Sequence, residues 1–493
     1  MSDVSLKQQA VNGVAWATVR KLVQVSISFI SGIILARLLM PEDYGCIGML
    51  AIFMQVSGAF VDGGFGSALI QKKQPTKEDY STVFFWNLSI SGIIYIILFF
   101  ASPLIADFYH IPLLSKVLRV QGIVIILNAL LFVQSNQLCK KFKFKKLAIV
   151  NSSTSVISLL VTIYMAYNGF GVWSLVTQNL LMSAIPMLCY WLTNRWYPSL
   201  SFSKKSFREL FSFGLYALLT SLLSKISNNI QGLLLGHFYN PTLMGYYSKA
   251  HSTERLASQT ISDVFSQVTF PLYSELQDDC ERMKNAIKKI TGLLAFFVFP
   301  LMFVLILVAK PVFILLYSDR WLESIPYFQV LCLTGLAACL QAVNSQTIAA
   351  MGMGKVMFQW AVIKQSIGIL AVIIGLVTYG IYGLLLAIVA RAWFVYFVNA
   401  YLVSKYVGYK MKTQLFDLLP ILLISAISLL VTYFAFSPFS LSMYVDGFFK
   451  LIFFGTIYLI GIKLFKPGVL NLAMSLLIPF VKEKFRMAKK KDE

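Results

Sequence analysis

Carboxylates are what this chain has least of among its charged groups. Its 493 residues hold 21 Asp and Glu against 42 Lys and Arg, and charges of both signs make up only 13 %. That is too little polar surface to cover a soluble protein of this length. Period-two alternation is missing too, because the apolar stretches run on unbroken, which excludes a transmembrane β-barrel. The six cysteines (Cys46, Cys139, Cys189, Cys280, Cys332 and Cys339) show neither metal-ligand spacing nor a disulfide framework and read as small buried hydrophobes. No metal and no cofactor is called for. The N-terminal "MSDVSLKQQAVNGVAWATVRKLVQ" lacks a signal-peptide layout and reads as the start of an uncleaved first helix.

What the chain has instead is apolar length: 58 % of residues are hydrophobic and the mean hydropathy is +0.74. Runs of about 18 or more residues, enough to cross a core of about 30 Å, recur throughout. Fourteen segments can be drawn, at 15–39, 45–69, 82–102, 118–138, 147–167, 172–193, 210–237, 243–270, 291–310, 327–350, 357–379, 383–404, 418–436 and 447–465. The expected fold is therefore an all-α integral membrane protein. Its loops alternate in character. "QKKQPTK", "KKFKFKK", "CERMKNAIKK" and "KYVGYKMK" are basic; "MPEDY", "NGFG", "YNPT" and "TYGIYG" are short and nearly uncharged. On the second side only "HIPLLSKVLR" and "KPVFILLYSDRW" carry Lys or Arg. The positive-inside rule then puts the basic loops and both termini in the cytoplasm. The net charge of +21 is spent on orientation and points to no nucleic acid. After Lys466 the tail, ending "KFRMAKKKDE", suits an amphipathic helix lying on the lipids of the cytoplasmic leaflet.

One passage occurs twice. "GIILARLLMPEDYG" (32–45) and "GLLLGHFYNPTLMG" (232–245) share Gly32/Gly232, Leu35/Leu235, Pro41/Pro241 and Gly45/Gly245 without a gap. Pro and Gly end a helix and turn it tightly. Six segments separate the copies, so the unit repeats in one orientation, about an axis along the membrane normal. The expected divisions are an N-terminal lobe (1–209), a C-terminal lobe (210–410), and a final helix pair with a basic tail (411–493).

An ionisable group at mid-bilayer costs about 2.5–3.5 kcal/mol, so each one needs a reason. Arg20 and Lys21 in the first segment either snorkel to headgroups or face the interior. Asp62 sits beside Gly63, Gly64 and Gly66, glycines suited to close helix packing. Lys225 lies midway along its segment, with Ser224, Ser227, Asn228, Asn229 and Gln231 nearby. The eighth segment, "GYYSKAHSTERLASQTISDVFSQVTF", places Lys249, His251, Glu254, Arg255, Ser258 and Asp263 inside the bilayer. His251, Glu254, Arg255 and Ser258 follow i, i+3, i+4, i+7 spacing and should share one face lining water or facing partners. Internal pairing of Glu254 with Arg255 or Lys249 is the plainer alternative. Lys364 and Arg391 are single cations in apolar surroundings, and Gln341, Asn344 and Gln346 can line the same space. Arg20, Lys21, Lys225, Lys249, His251, Arg255, Lys364 and Arg391 together make a cationic interior suited to an anionic substrate, phosphate above all. Asp62, Glu254 and Asp263 are the acids available for ion pairing or ion coupling.

"ARLLMPEDYGCIGM" (36–49), "DGGFGSALIQKK" (62–73), "GFGVWSLV" (169–176), "LMGYYSKA" (243–250) and "FPLYSELQDD" (270–279) resemble the polysaccharide transporter family of the multidrug/oligosaccharidyl-lipid/polysaccharide exporter superfamily. Within it the resemblance is to Wzx-type lipid-linked oligosaccharide flippases of the colanic-acid and teichuronic-acid exporter kind. The resemblance implies two six-helix lobes in a V shape plus an extra helix pair. It also implies movement of an undecaprenyl-diphosphate-linked repeat unit across the bacterial inner membrane, beside a polysaccharide polymerase. It supplies no catalytic signature. No Asp or Glu lies between Trp16 and Leu39, so the first-helix acid of many related drug antiporters is missing.

Three function classes compete. A flippase needs the cationic interior. An ion-coupled small-molecule exporter needs a titratable acid in the cavity. A membrane glycosyltransferase or polymerase needs catalytic acids on a sizeable outer loop, and here only Glu42, Asp43, Asp319 and Glu323 are placed there, where helix capping or local pairing explains them. The flippase fits best, with no catalytic residues.

Overall fold

The computed structural model describes residues 23–194, 196–439 and 442–475. Arg20, Lys21 and the tail from 476 lie outside them. Among the described residues every regular element is helical: α1 (Val23–Leu38), α2 (Pro41–Asp62), α3 (Phe65–Gln71), α4 (Lys77–Phe108), α5 (Leu113–Gln121), α6 (Ile123–Lys140), α7 (Phe144–Tyr167), α8 (Val172–Asn194), α9 (Lys204–Phe238), α10 (Pro241–Glu275), α11 (Cys280–Leu307), α12 (Ala309–Tyr317), α13 (Ser324–Ala350), α14 (Gly354–Val407), α15 (Met411–Phe436) and α16 (Met443–Phe465). Among the described residues ten stretches are long and apolar enough to cross a membrane, eleven with the bent α9. This is a multi-pass membrane protein. α10 is not among the ten: with Lys249, Glu254, Arg255 and Asp263 it is too polar to qualify on composition.

The helix ends follow from local chemistry. Pro41 opens α2, and the Met40 N–H donates to Asp43 Oδ2 at 3.0 Å. Thr76 caps α4: its hydroxyl accepts from Asp79 N–H, and Asp79 Oδ2 accepts from Thr76 N–H at 2.8 Å. The other Asp79 oxygen holds Lys72 at 3.1 Å, and Lys72 also reaches Glu209 at 3.2 Å, tying the turn before α4 to α9. Burial works against the Lys72 charge, but the bonds to Asp79 and Glu209 outweigh it and hold its pKa above the ordinary lysine value. Asp79 itself is 1 % exposed. Asp79→Ala should therefore lower the melting temperature of the detergent-purified protein, at a cost of about 1–3 kcal/mol, whereas Glu209→Ala should leave it nearly unchanged.

The chain divides into two compact units, residues 1–249 and 250–493, the division falling inside α10. In the first unit a long helix (α4), a short one (α5) and a long one (α6) follow in order. In the second unit α11, α12 and α13 repeat that order about two hundred positions later. The short helices α5 and α12 occupy "HIPLLSKVLR" and "KPVFILLYSDRW", the two loops that broke the charge pattern. α14 spans two expected segments and breaks between them: Gly380 has φ +62°, a conformation open to glycine. The halves of α14 then fold back so closely that a Cβ on Gly375 or Gly383 would collide with the other's carbonyl oxygen.

Candidate substrate cavity and the buried cations

In the first unit the repeated passage meets its own copy. A Cβ on Gly45 would collide with the Pro241 carbonyl oxygen, and one on Gly245 with the Pro41 carbonyl oxygen. This is the reciprocity of a local two-fold: residue i touches j, and j touches i. One turn on, a Cβ on Gly48 would stand 2.6 Å from Ser248 Oγ. Glu42 accepts from the Thr242 hydroxyl at 3.2 Å beside this crossing, and Asp43 caps α2, so these two acids are occupied structurally. The first turns of α2 and α10 thus lie backbone against backbone.

Farther along α2 a cavity of about 440 Å³ opens within the first unit. Gln55, Asp62, Gln121, Asn128, Asn179 and Ser183 supply its polar wall, and Met54 and Phe132 part of its apolar one. Asp62 sits where α2 ends. Gly63 and Gly64 turn the chain with φ +55° and +74°, and a Cβ on Gly64 would collide with the Gly214 backbone of α9. The glycines of "DGGFG" serve that close approach, and the turn leaves Asp62 exposed at the cavity. Lys225 on α9 reaches the same wall, donating to Gln55 Oε1 at 2.7 Å. Gln121 Oε1 is buried without a hydrogen-bond partner. Amide groups that donate and accept, beside apolar side chains, are what sugar hydroxyls and ring faces require.

Sequence reasoning picked out Asp62 and Lys225 but missed Gln55, Gln121, Asn128 and Asn179. The available signal was Gln55 and Asp62, seven positions apart and so on one face of α2.

Lys249 is placed differently from what its sequence suggests. It is 4 % exposed, donates to Gly32 O at 2.7 Å and lies 5.3 Å from the centre of the Tyr44 ring. It joins α10 to α1 and does not open on the cavity, because its stem is long enough to reach a carbonyl that a glycine leaves uncovered.

The second unit holds the rest. The expected stripe on α10 splits: Glu254 and Ser258 are buried at 3 % and 4 %, His251 is half-buried, and Arg255 is exposed. Adjacent residues differ by about 100° around a helix, so Glu254 and Arg255 point different ways. Their mutual pairing does not occur. Arg255 donates to Gln259 Oε1 at 2.8 Å, while Glu254 is hydrogen-bonded by Ser258 and has one oxygen without a partner. Glu254 lies against Gly335, where a Cβ would stand 2.7 Å from the carboxylate. His251 lies within electrostatic reach of Arg255 and Arg391. Lys364 donates to Asn399 Oδ1 at 2.8 Å, and Arg391 donates to Gln365 Oε1 at 3.1 Å with its stem laid on Gly368. Asp263 is half-buried on α10. Asn344 is buried against Gln414 at 3.3 Å and ties α13 to α15, and Gln341 donates to Ala392 O at 2.6 Å.

One pattern covers both units. Lys225, Arg255 and Lys364 all bond neutral amide oxygens, and none has a carboxylate within ion-pair distance among the described residues. Their positive charge is held in place by neutral acceptors, with no direct ion pair.

The family model described as "Polysaccharide biosynthesis protein" matches residues 34–326. The chain belongs to the polysaccharide biosynthesis protein family. Among curated members it is similar to the teichuronic acid biosynthesis protein TuaB of Bacillus subtilis (strain 168), 22 % identical over 358 residues covering 72 % of this chain and 74 % of that one. It is also similar to the lipopolysaccharide biosynthesis protein WzxC of Escherichia coli (strain K12), at 21 % over 76 % of each chain. A third relative, the succinoglycan biosynthesis transport protein ExoT of Rhizobium meliloti (strain 1021), is 26 % identical over 71 % of each. In fold, this family member resembles the lipid II flippase MurJ in an inward closed conformation, with TM-score 0.76 over 93 % of this chain and all of that one at 17 % identity. It also resembles an inward-facing multidrug transporter of the MATE family, with TM-score 0.63 over 81 % of this chain and 99 % of that one at 17 % identity. The proteins in this group that are named for an activity are transporters and a flippase, not enzymes.

Proposed function

We propose that this protein is a flippase that carries a polyprenyl-diphosphate-linked oligosaccharide repeat unit across the bacterial inner membrane by alternating access. The observation that carries the proposal is that Lys225, Arg255 and Lys364 are each pre-set by a neutral amide acceptor, with no direct ion pair among the described residues. A diphosphate displaces or joins an amide oxygen at such a cation without first breaking an ion pair, and charge-assisted bonds to it are the strong kind. Gln55, Asn128 and Asn179 then meet the sugars, while the polyprenyl tail stays in lipid. Basic loops and both termini face the cytoplasm. Glycosyltransferases supply the cargo, and a polymerase on the far side consumes it. Similarity to biosynthesis and transport proteins of surface polysaccharides supports the cargo class.

Of the three candidate coupling acids, Glu254 stands apart. It is buried, has no cation within ion-pair distance among the described residues, and keeps one oxygen unpartnered. A proton is the simplest partner for such a carboxyl. An ion-coupled small-molecule exporter on this scaffold would use the same acid, so the cargo decides between the two functions.

The test is complementation of a bacterium whose own flippase for a known repeat unit has been deleted. The wild-type chain should restore polymer and clear lipid-linked units from the cytoplasmic leaflet. Drug resistance without polymer would overturn the proposal. In the same strain Glu254→Gln should lower transport at least about tenfold, a loss of about 1.4 kcal/mol of coupling. Unchanged transport would remove Glu254 from the coupling role and leave the flippase proposal standing.

A further inference from the structure

A second cavity, of about 520 Å³, lies wholly within the second unit, and none of the charged residues of α10 lines it. Trp393 and Tyr396 of α14 form one wall, and Leu415, Leu419 and Leu422 of α15 form another. Lys412 stands at one end. Three of these five residues are leucines; the polar groups are the Trp393 indole N–H and the Tyr396 hydroxyl, and the hydroxyl is buried with no hydrogen-bond partner. Lys412 is exposed, with no hydrogen bond or ion pair among the described residues, while neighbouring Lys288 is already held by Asp417 at 3.2 Å.

Size selects the occupant. From Lys412 to Leu422 the groove follows α15 for about 15 Å at 1.5 Å per residue, half of a hydrocarbon core of about 30 Å. It is one leaflet deep. It opens beside "KYVGYKMK", where Lys405, Lys410 and Lys412 cluster on the side that the charge pattern assigns to the cytoplasm. An apolar slot one leaflet deep, with the exposed Lys412 at its surface end and a spare hydroxyl inside, has the shape and charge order of a phospholipid. We propose that the groove between α14 and α15 binds an anionic phospholipid of the cytoplasmic leaflet, one acyl chain in the slot and the phosphate at Lys412. A polyprenyl chain is longer than one leaflet, so an acyl chain matches the groove's length better and the site is proposed as separate from the cargo's. The bound lipid fixes α15 against α14 and makes the protein responsive to membrane charge.

Native mass spectrometry of the full chain in mild detergent, titrated with phosphatidylglycerol or with phosphatidylcholine of the same chain length, tests this. Wild type should retain phosphatidylglycerol about fivefold more tightly than phosphatidylcholine, the worth of one surface lysine. Lys412→Ala, which leaves the packing alone, should erase that preference while acyl binding persists. Leu419→Trp, which fills the slot, should lose both lipids. Equal retention of the two lipids by wild type, or unchanged retention by Leu419→Trp, overturns the proposal. So does undecaprenyl phosphate that displaces phosphatidylglycerol from wild type and no longer binds Leu419→Trp, since the groove would then belong to the cargo.

Discussion

Oxidation of a variant carrying Gly48→Cys and Ser248→Cys should stop transport completely, and a reducing agent should restore it. A Cβ at position 48 would stand 2.6 Å from Ser248 Oγ, so two thiols there fall within disulfide reach once the close contact relaxes slightly. The bond would staple the first turns of α2 and α10, which alternating access requires to part. Only six native cysteines need replacing first. Single substitutions at the crossing should act in the opposite sense. Gly45→Val and Gly245→Val drive side chains into the Pro241 and Pro41 carbonyls, so neither variant can reach this close approach and both should lose transport while remaining in the membrane. Transport that survives oxidation of the cross-linked pair would mean that the crossing stays shut throughout the cycle.

The second large effect is expected at Lys249. Its ammonium is buried and bonded to the Gly32 carbonyl, which belongs to α1 and can bond within that helix as well. Lys249→Ala therefore removes the α1–α10 link without orphaning an acceptor. The lost packing of the stem, roughly 1–3 kcal/mol, is offset in part by no longer burying a charge. Membrane levels should stay near wild type while polymer output falls at least about tenfold. Immunoblotting of membranes beside a polymer assay reads both. Normal output would show that the link is dispensable.

The helices were legible because apolar length is a coarse signal that the bilayer itself imposes. The repeat was legible because a tight crossing admits only glycine, and glycine at a fixed offset from proline is visible in the chain. What could not be seen was that Gly45 and Gly245 need each other. Sequence gives the two turns; only the fold brings Pro41 against Gly245. The site was harder for a different reason. Lysine and arginine stand out in an apolar run, whereas Gln55, Asn128 and Asn179 carry no charge and do not interrupt hydropathy. Spacing also misled on α10. His251, Glu254, Arg255 and Ser258 span a sector wide enough that Glu254 packs inward while Arg255 faces out. Reach misled at Lys249, since a side chain with four methylenes need not end where its Cα would place it.

The most direct measurement is equilibrium binding of a polyprenyl-diphosphate oligosaccharide to the purified protein, wild type against the triple variant Lys225→Met, Arg255→Gln and Lys364→Met. Each cation replaced removes a charge-assisted bond of about 1.5–3 kcal/mol, so even one lost contact weakens binding about tenfold or more. The expected result is that loss, steeper for the diphosphate-linked sugar than for the same sugar on an uncharged polyprenol. Equal affinity of the two proteins for the diphosphate-linked sugar would contradict it.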